Sequence, residues 1–309
     1  MTDEMKLLVN KLLPGVKEDA LKAQAVNRIV PISGKRYTLP LEGRDIDMAY
    51  YEAKSANAPL IIGYHGGGFL YGGSALDDTM WSRVADYLDV NVASINYRLS
   101  PTYRAYEAIA DCYDSIIYLK NHAAEYGFDP AHISVMGQSA GANCAAAMGL
   151  KSNQTKEVKL DNQILIYPIV DFVTDPDSKG AGSFSGVITY IMNELHCTIE
   201  EASDPLISPI FADKDMMEGS ANAILCFCEN DNLRFEGMEY EKKLQEAGVS
   251  TASILSAGMP HGFFESAFKE KLAKADTVLG DEFVRVFESG QMLEKGLEVL
   301  QLIKEHMVR

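Results

Sequence analysis

The sequence predicts an α/β fold with a mostly parallel central sheet and helices on both of its faces. Two observations predict it. Short apolar runs of strand length alternate with stretches of helical periodicity, and glycine-flanked turns follow two of those runs directly, where open α/β sheets carry their sites. The chain has 309 residues, which suits one large α/β domain with insertions, or two domains at about 150 residues each.

Composition narrows the class. Hydrophobic residues make up 47% and charged residues 23%, with 24 Gly and 11 Pro, so disordered, collagen-like and coiled-coil readings find no support. The net charge of −16 would repel a polyanion, so nucleic acid is not an expected partner. Met1 to Leu13 mixes Asp3, Glu4, Lys6 and Lys11 among its apolar residues, unlike a signal peptide. No run approaches 18 apolar residues, so no membrane span is expected. Five cysteines, Cys112, Cys144, Cys197, Cys226 and Cys228, form no paired framework. Free thiols and a cytoplasmic location follow.

Met1 to about Val30 reads as helical and precedes the first strand. Strands are expected at Leu60 to Tyr64, Val90 to Tyr97, Ile133 to Met136, Ile164 to Tyr167, Ile224 to Cys228 and Ser250 to Leu255. Alternation places Cys226 and Cys228 on one face of their strand, as core. Between the strands, Ile109, Cys112, Ile116 and Leu119 share a helical face, and Met238 to Ala247 ends before Gly248, a good terminator. Thr174 to about Ala212 is rich in Gly, Ser, Asp and Pro, with one apolar helical patch at Val187 to Leu195. It reads as a lid, with linker loops as the alternative. Leu293 to Met307 is expected to be an amphipathic helix packing through Leu297, Leu300 and Ile303.

Chemistry concentrates in four places. Gly137-Gln138-Ser139-Ala140-Gly141 lies between a strand and an Ala-rich helix, Ala142 to Leu150, the setting of a nucleophile elbow. Small residues at 137 and 141 would let strand and helix approach closely, with Ser139 projecting from the turn. His65-Gly66-Gly67-Gly68-Phe69 follows the strand at Leu60, where backbone N–H groups can turn toward a developing oxyanion. A serine hydroxyl needs a base, itself oriented by an acid. In the order serine, acid, histidine, the base is His196, His261 or His306. His196 falls in the irregular insert and His306 in the terminal helix, so His261, in a loop past a strand, is preferred. Asp231, after the strand Ile224 to Cys228, is the best acid, with Glu229 and Asp171 as rivals.

These motifs resemble the hormone-sensitive-lipase-like branch of the α/β-hydrolase esterases over roughly Pro59 to Phe264. His65 to Gly68 matches that family's H-G-G-G loop and Gly137 to Gly141 its G-D-S-A-G elbow. Tyr97-Arg98-Leu99-Ser100-Pro101 stands for Y-R-L-A-P-E, with Asp231-Asn232-Leu233-Arg234 and Pro260-His261-Gly262-Phe263 as acid and histidine segments. The resemblance implies an α/β-hydrolase fold, with cap helices at 1–30, a catalytic domain at 31–309 and a cap insert at 174–212. It also implies that the backbone N–H groups of Gly67, Gly68 and Ala140 form the oxyanion hole while His65 shapes the loop. The chain departs from the pattern at Gln138, where Asp is usual, at Thr102, where Glu is common, and in the charged stretch from Glu265 to Gln291.

The expected activity is hydrolysis of carboxylic esters with short acyl chains. Ser139 would be the nucleophile, His261 the base and Asp231 its orienting acid. No cofactor is called for, since the chain has no phosphate loop, zinc helix or dinucleotide fingerprint. The expected partner is a small ester, with a homodimer left open. An amidase, arylformamidase or peptidase on the same scaffold is the alternative, followed by a ligand-binding protein without catalysis.

Overall fold

A computed structural model describes residues 2–27, 30–180, 186–272 and 280–308. Parts of three expected features fall outside these residues: residue 1 and residues 28–29 of the N-terminal stretch, residues 181–185 of the 174–212 insert and residues 273–279 of the charged stretch after Glu265.

Eight strands form one sheet. They are β1 (Lys35–Leu41), β2 (Arg44–Tyr51), β3 (Leu60–Tyr64), β4 (Asn91–Ile95), β5 (Ile133–Gln138), β6 (Asn162–Ile166), β7 (Asn222–Asn230) and β8 (Thr251–Pro260). Their order is β1-β2-β4-β3-β5-β6-β7-β8. The β1–β2 and β2–β4 pairs are antiparallel, and from β4 onward every pair is parallel. All six strands expected from apolar runs are present. No apolar run announces the hairpin of β1 and β2, because both strands are half polar and β1, at the sheet edge, contains Pro40. Its turn does leave a signal, Glu42-Gly43, with Gly43 at φ +72°, a conformation that glycine adopts without strain.

The α-helices are α1 (Asp3–Asn27), α2 (Asp78–Leu88), α3 (Ala105–Asn121), α4 (Ala123–Tyr126), α5 (Ala140–Thr155), α6 (Val187–His196), α7 (Lys214–Met217), α8 (Leu233–Glu246), α9 (Phe263–Ala267), α10 (Asp281–Glu288) and α11 (Gln291–His306). Residues of α3, α5 and α8 pack on one face of the sheet with Leu60, Ile62, Val135, Leu165, Leu225 and Phe227. Residues of α2, α9, α10 and α11 cover the other, with Ile61, Met136, Ile164, Ile224, Cys226 and Cys228. Successive strand residues thus go to opposite faces, and both cysteines of β7 share one of them. All five cysteines are free and buried.

The terminal helix needs one correction. Leu300 and Ile303 are buried, but Leu297 is exposed, and the packed stripe is Met292, Gly296, Val299, Leu300 and Ile303. Gly296 decides this, because a Cβ there would stand 2.8 Å from Ala267 Cβ. The contact of α9 with α11 therefore sets which side of α11 faces inward.

A third, smaller cluster joins α1 and α6, the two helices of the expected cap, through Val9, Ala20, Ile191 and Leu195. Leu70, from the loop after β3, is buried with them. Gln24 of α1 donates to the carbonyls of Leu70 and Ser100 at 2.8 Å each. Among the described residues, no helix is long and apolar enough to cross a membrane.

Candidate active site

Strand order reverses between β3 and β5, so connections leave their C-terminal ends in opposite directions and open a crevice. Tyr64 of β3 pairs in register with Gly137 of β5. That single pairing brings the His65–Phe69 loop beside the Gln138–Gly141 turn. Both turns depend on missing Cβ atoms. A Cβ on Gly137 would overlap the Gly141 carbonyl, and one on Gly141 would overlap the Tyr64 carbonyl. Ser139 sits between them at φ +56°, ψ −118°, a conformation that costs a non-glycine residue on the order of 1–3 kcal/mol. Its N–H is fixed by the Ile166 carbonyl at 2.9 Å.

The expected acid and base come from the ends of β7 and β8, beyond β6 in the sheet. Asn230 pairs with Pro260 across a bulge, so Asp231 and His261 each lie one residue beyond a matched position. Asp231 Oδ2 is 2.6 Å from His261 Nδ1, and His261 Nε2 is 2.9 Å from Ser139 Oγ. All three side chains are buried. An ionised carboxylate only accepts, so Nδ1 carries the proton and the Nε2 lone pair faces the serine hydroxyl. Asp231 is itself held by the Leu233 N–H, 3.1 Å from Oδ1.

The other candidates stand elsewhere. Glu229 accepts from the Gly258 N–H at 2.7 Å, and Asp171 from the N–H groups of Val173 and Thr174. His196, on α6, stacks on Phe69 at 3.6 Å. His306 ends α11.

Gly67 and Gly68 take φ values of +113° and +60°. A Cβ on Gly67 would collide with the Tyr71 carbonyl, which fixes the loop's path. Among the described residues, no hydrogen bond takes up the N–H groups of Gly67, Gly68 or Ala140. His65 lies behind this loop, with Nδ1 2.7 Å from the Gly66 carbonyl oxygen and its ring stacked on Tyr97 at 4.4 Å. Burial lowers its pKa to about 4, so it is neutral at pH 7. The expected Tyr97–Pro101 segment supports the loop from outside. Tyr97 Oη donates to the His65 carbonyl at 2.7 Å, and the Ser100 N–H to the Phe69 carbonyl at 2.9 Å.

Several residues that shape the site were not identified from the sequence. Tyr167, just after β6, has φ +37° and lies with its ring 4.7 Å from that of His261. Its hydroxyl bonds Glu265 and accepts from the Phe264 N–H, which ties down the chain just past the imidazole. Asn143 donates to the carbonyls of Ile169 and Ile207, and the buried Lys179–Glu236 pair at 2.6 Å closes the insert's first turn. These contacts leave no periodic trace. Asp77 is different. It precedes the first turn of α2, where a helix-start signal was available.

Residues 61–265 match the family described as alpha/beta hydrolase fold. The chain belongs to that family. It is 30% identical over 278 residues to an arylesterase from Saccharolobus solfataricus, covering 85% of this α/β hydrolase and 84% of the relative. A carboxylic ester hydrolase, LipN, from Mycobacterium tuberculosis is 29% identical, but the match spans 73% of this chain and just under two thirds, 63%, of that one. A solved hyperthermophilic esterase from the archaeon Pyrobaculum calidifontis superposes with TM-score 0.77 at 25% identity, covering 99% of this chain and 97% of its own.

Proposed function

We propose that this α/β hydrolase is a serine esterase that cleaves small carboxylic esters with short acyl chains, through an acyl-enzyme. The observation that carries the reading is the continuous path Asp231–His261–Ser139 at 2.6 and 2.9 Å, beside uncommitted N–H groups. The esterase names of the relatives support the same chemistry.

Ser139 Oγ attacks the ester carbonyl carbon while His261 Nε2 takes its proton. The carbonyl oxygen becomes an oxyanion held by the N–H groups of Gly67, Gly68 and Ala140. Collapse expels the alcohol, which receives the proton from His261. Water then attacks the acyl-enzyme by the same route in reverse, releasing the acid and restoring Ser139. Asp231 keeps Nδ1 protonated and stabilises the imidazolium in both halves. Helices α1 and α6 serve as a cap over the site, and a cytoplasmic, reducing setting suits the five free thiols.

Hydrolysis of p-nitrophenyl acetate and butyrate tests the reading. The wild type turns both over, and Ser139→Ala loses nearly all of that rate. A Ser139→Ala protein with wild-type turnover would overturn it.

A further inference from the structure

This inference rests on the esterase reading and extends it to the acyl group. The alcohol takes its proton from His261 Nε2, so it must leave on the imidazole side of Ser139 Oγ. The acyl chain therefore points away from His261. On that side the space beside Ser139 is bounded by Gly68, Phe69, Phe172, Met192 and Asn193, and measures only about 10 Å³, roughly one water.

Met192 is what fills it. A Cβ on Gly68 would collide with the Met192 methyl group, and Met192 Sδ would lie 3.1 Å from it. Helix α6, which carries Met192, is pinned to the same loop because His196 stacks on Phe69. The backbone is thus held while the unbranched thioether side chain can turn. Past Phe172 and Asn193, which line both spaces, lies a groove of about 650 Å³ with Val173, Leu195 and Ile199 along it. Such a volume is typical of sites for organic ligands.

We propose that Met192 is the adjustable end wall of the acyl site. A short acyl group displaces its methyl end, whereas a medium-length chain fits only when the wall is removed and the chain can run into the groove. Met192 thereby sets the acyl-length preference.

The test is the ratio of kcat/KM for p-nitrophenyl octanoate to that for the acetate. Met192→Ala should raise the ratio about tenfold or more, the scale on which a pocket discriminates a few methylenes. Met192→Phe should lower it, and Val173→Trp added to Met192→Ala should reverse the gain by blocking the groove. Octyl acetate relative to ethyl acetate should show no such shift. An active Met192→Ala enzyme with an unchanged octanoate ratio would overturn the proposal, as would a shift confined to the alcohol series. Calorimetry on Ser139→Ala proteins separates the two readings. Tighter octanoate ester binding on Met192→Ala, with no wild-type turnover of any ester, would sink the esterase reading and keep the wall. Turnover with no change in chain preference or binding would do the opposite.

Discussion

Gln138, immediately before Ser139, donates from Nε2 to Asp77 Oδ2 at 2.6 Å, and both side chains are buried. Asp77 is the residue before α2, and Gln138 also packs against Gly66, whose Cβ would stand 3.3 Å from Gln138 Cγ. The pair links α2, the Ser139 turn and the His65–Phe69 loop. It also accounts for the sequence's departure from the usual Asp at this position. A carboxylate facing Asp77 would have no proton to give, whereas an amide does.

Gln138→Glu should therefore make stability pH-dependent. Two facing carboxylates raise one pKa in the folded state, so the folded protein keeps a proton that the unfolded chain releases. Stability is retained below the unfolded carboxyl value near 4.3 and lost as pH rises through the folded value. A shift of about 2 units corresponds to about 3 kcal/mol lost at pH 8. Urea denaturation of variant and wild type at pH 4.5 and 8 checks this, and equal differences at the two pH values would contradict it.

His196 works in the other direction. Burial, with the Arg104 guanidinium nearby, lowers its pKa from 6.5 to about 3. The unfolded chain binds the proton first, so the wild type loses stability as pH falls from about 6.5 toward 3. Phenylalanine at this position keeps the stacking on Phe69 and removes the titration. His196→Phe should gain on the order of 2 kcal/mol relative to wild type at pH 5 compared with pH 8. Thermal melts across that range read the difference directly.

Gly67→Ala should damage catalysis more than stability. Its φ of +113° and the Tyr71 carbonyl both refuse a Cβ, so the loop must move and its N–H groups lose their aim. Loss of one oxyanion donor slows turnover by about 100- to 1000-fold. The kcat on p-nitrophenyl acetate, measured beside a circular dichroism spectrum showing a folded protein, distinguishes this from unfolding.

Asp231→Asn should keep the site's shape and lose its function, because an amide no longer fixes the proton on His261 Nδ1. The expected fall in kcat is on the order of 10⁴-fold. Glu229→Gln, at a carboxylate that meets only Gly258 among the described hydrogen bonds, should keep most of its rate. The reverse ranking would move the acid's role to Glu229.

Much of this site was legible in the sequence because its parts are local. Gly137, Gly141 and Gly67 are each required by a backbone contact that a Cβ would destroy, and Gly68 by its φ of +60°; such requirements show as glycines at fixed offsets from apolar runs. Asp231 and His261 each follow a strand, and the β7–β8 register brings them together. Tyr167, Met192 and the Asp77–Gln138 pair were not legible as partners. Each acts through a contact made between distant segments, and neither periodicity nor spacing encodes it. The antiparallel strands β1 and β2 leave little trace for a related reason. With charged residues in both and a proline in the outer strand, they lack the continuous apolar run that marks the other six.

An activated Ser139 facing His261 should react covalently with an electrophile that mimics the acyl transition state. The direct measurement is mass spectrometry after treatment with a fluorophosphonate. One adduct per chain is expected, mapped to the peptide carrying Ser139, absent from Ser139→Ala and strongly slowed in His261→Ala. A wild-type protein that is folded yet unlabelled, or labelled at another residue, would mean that Ser139 is not the nucleophile.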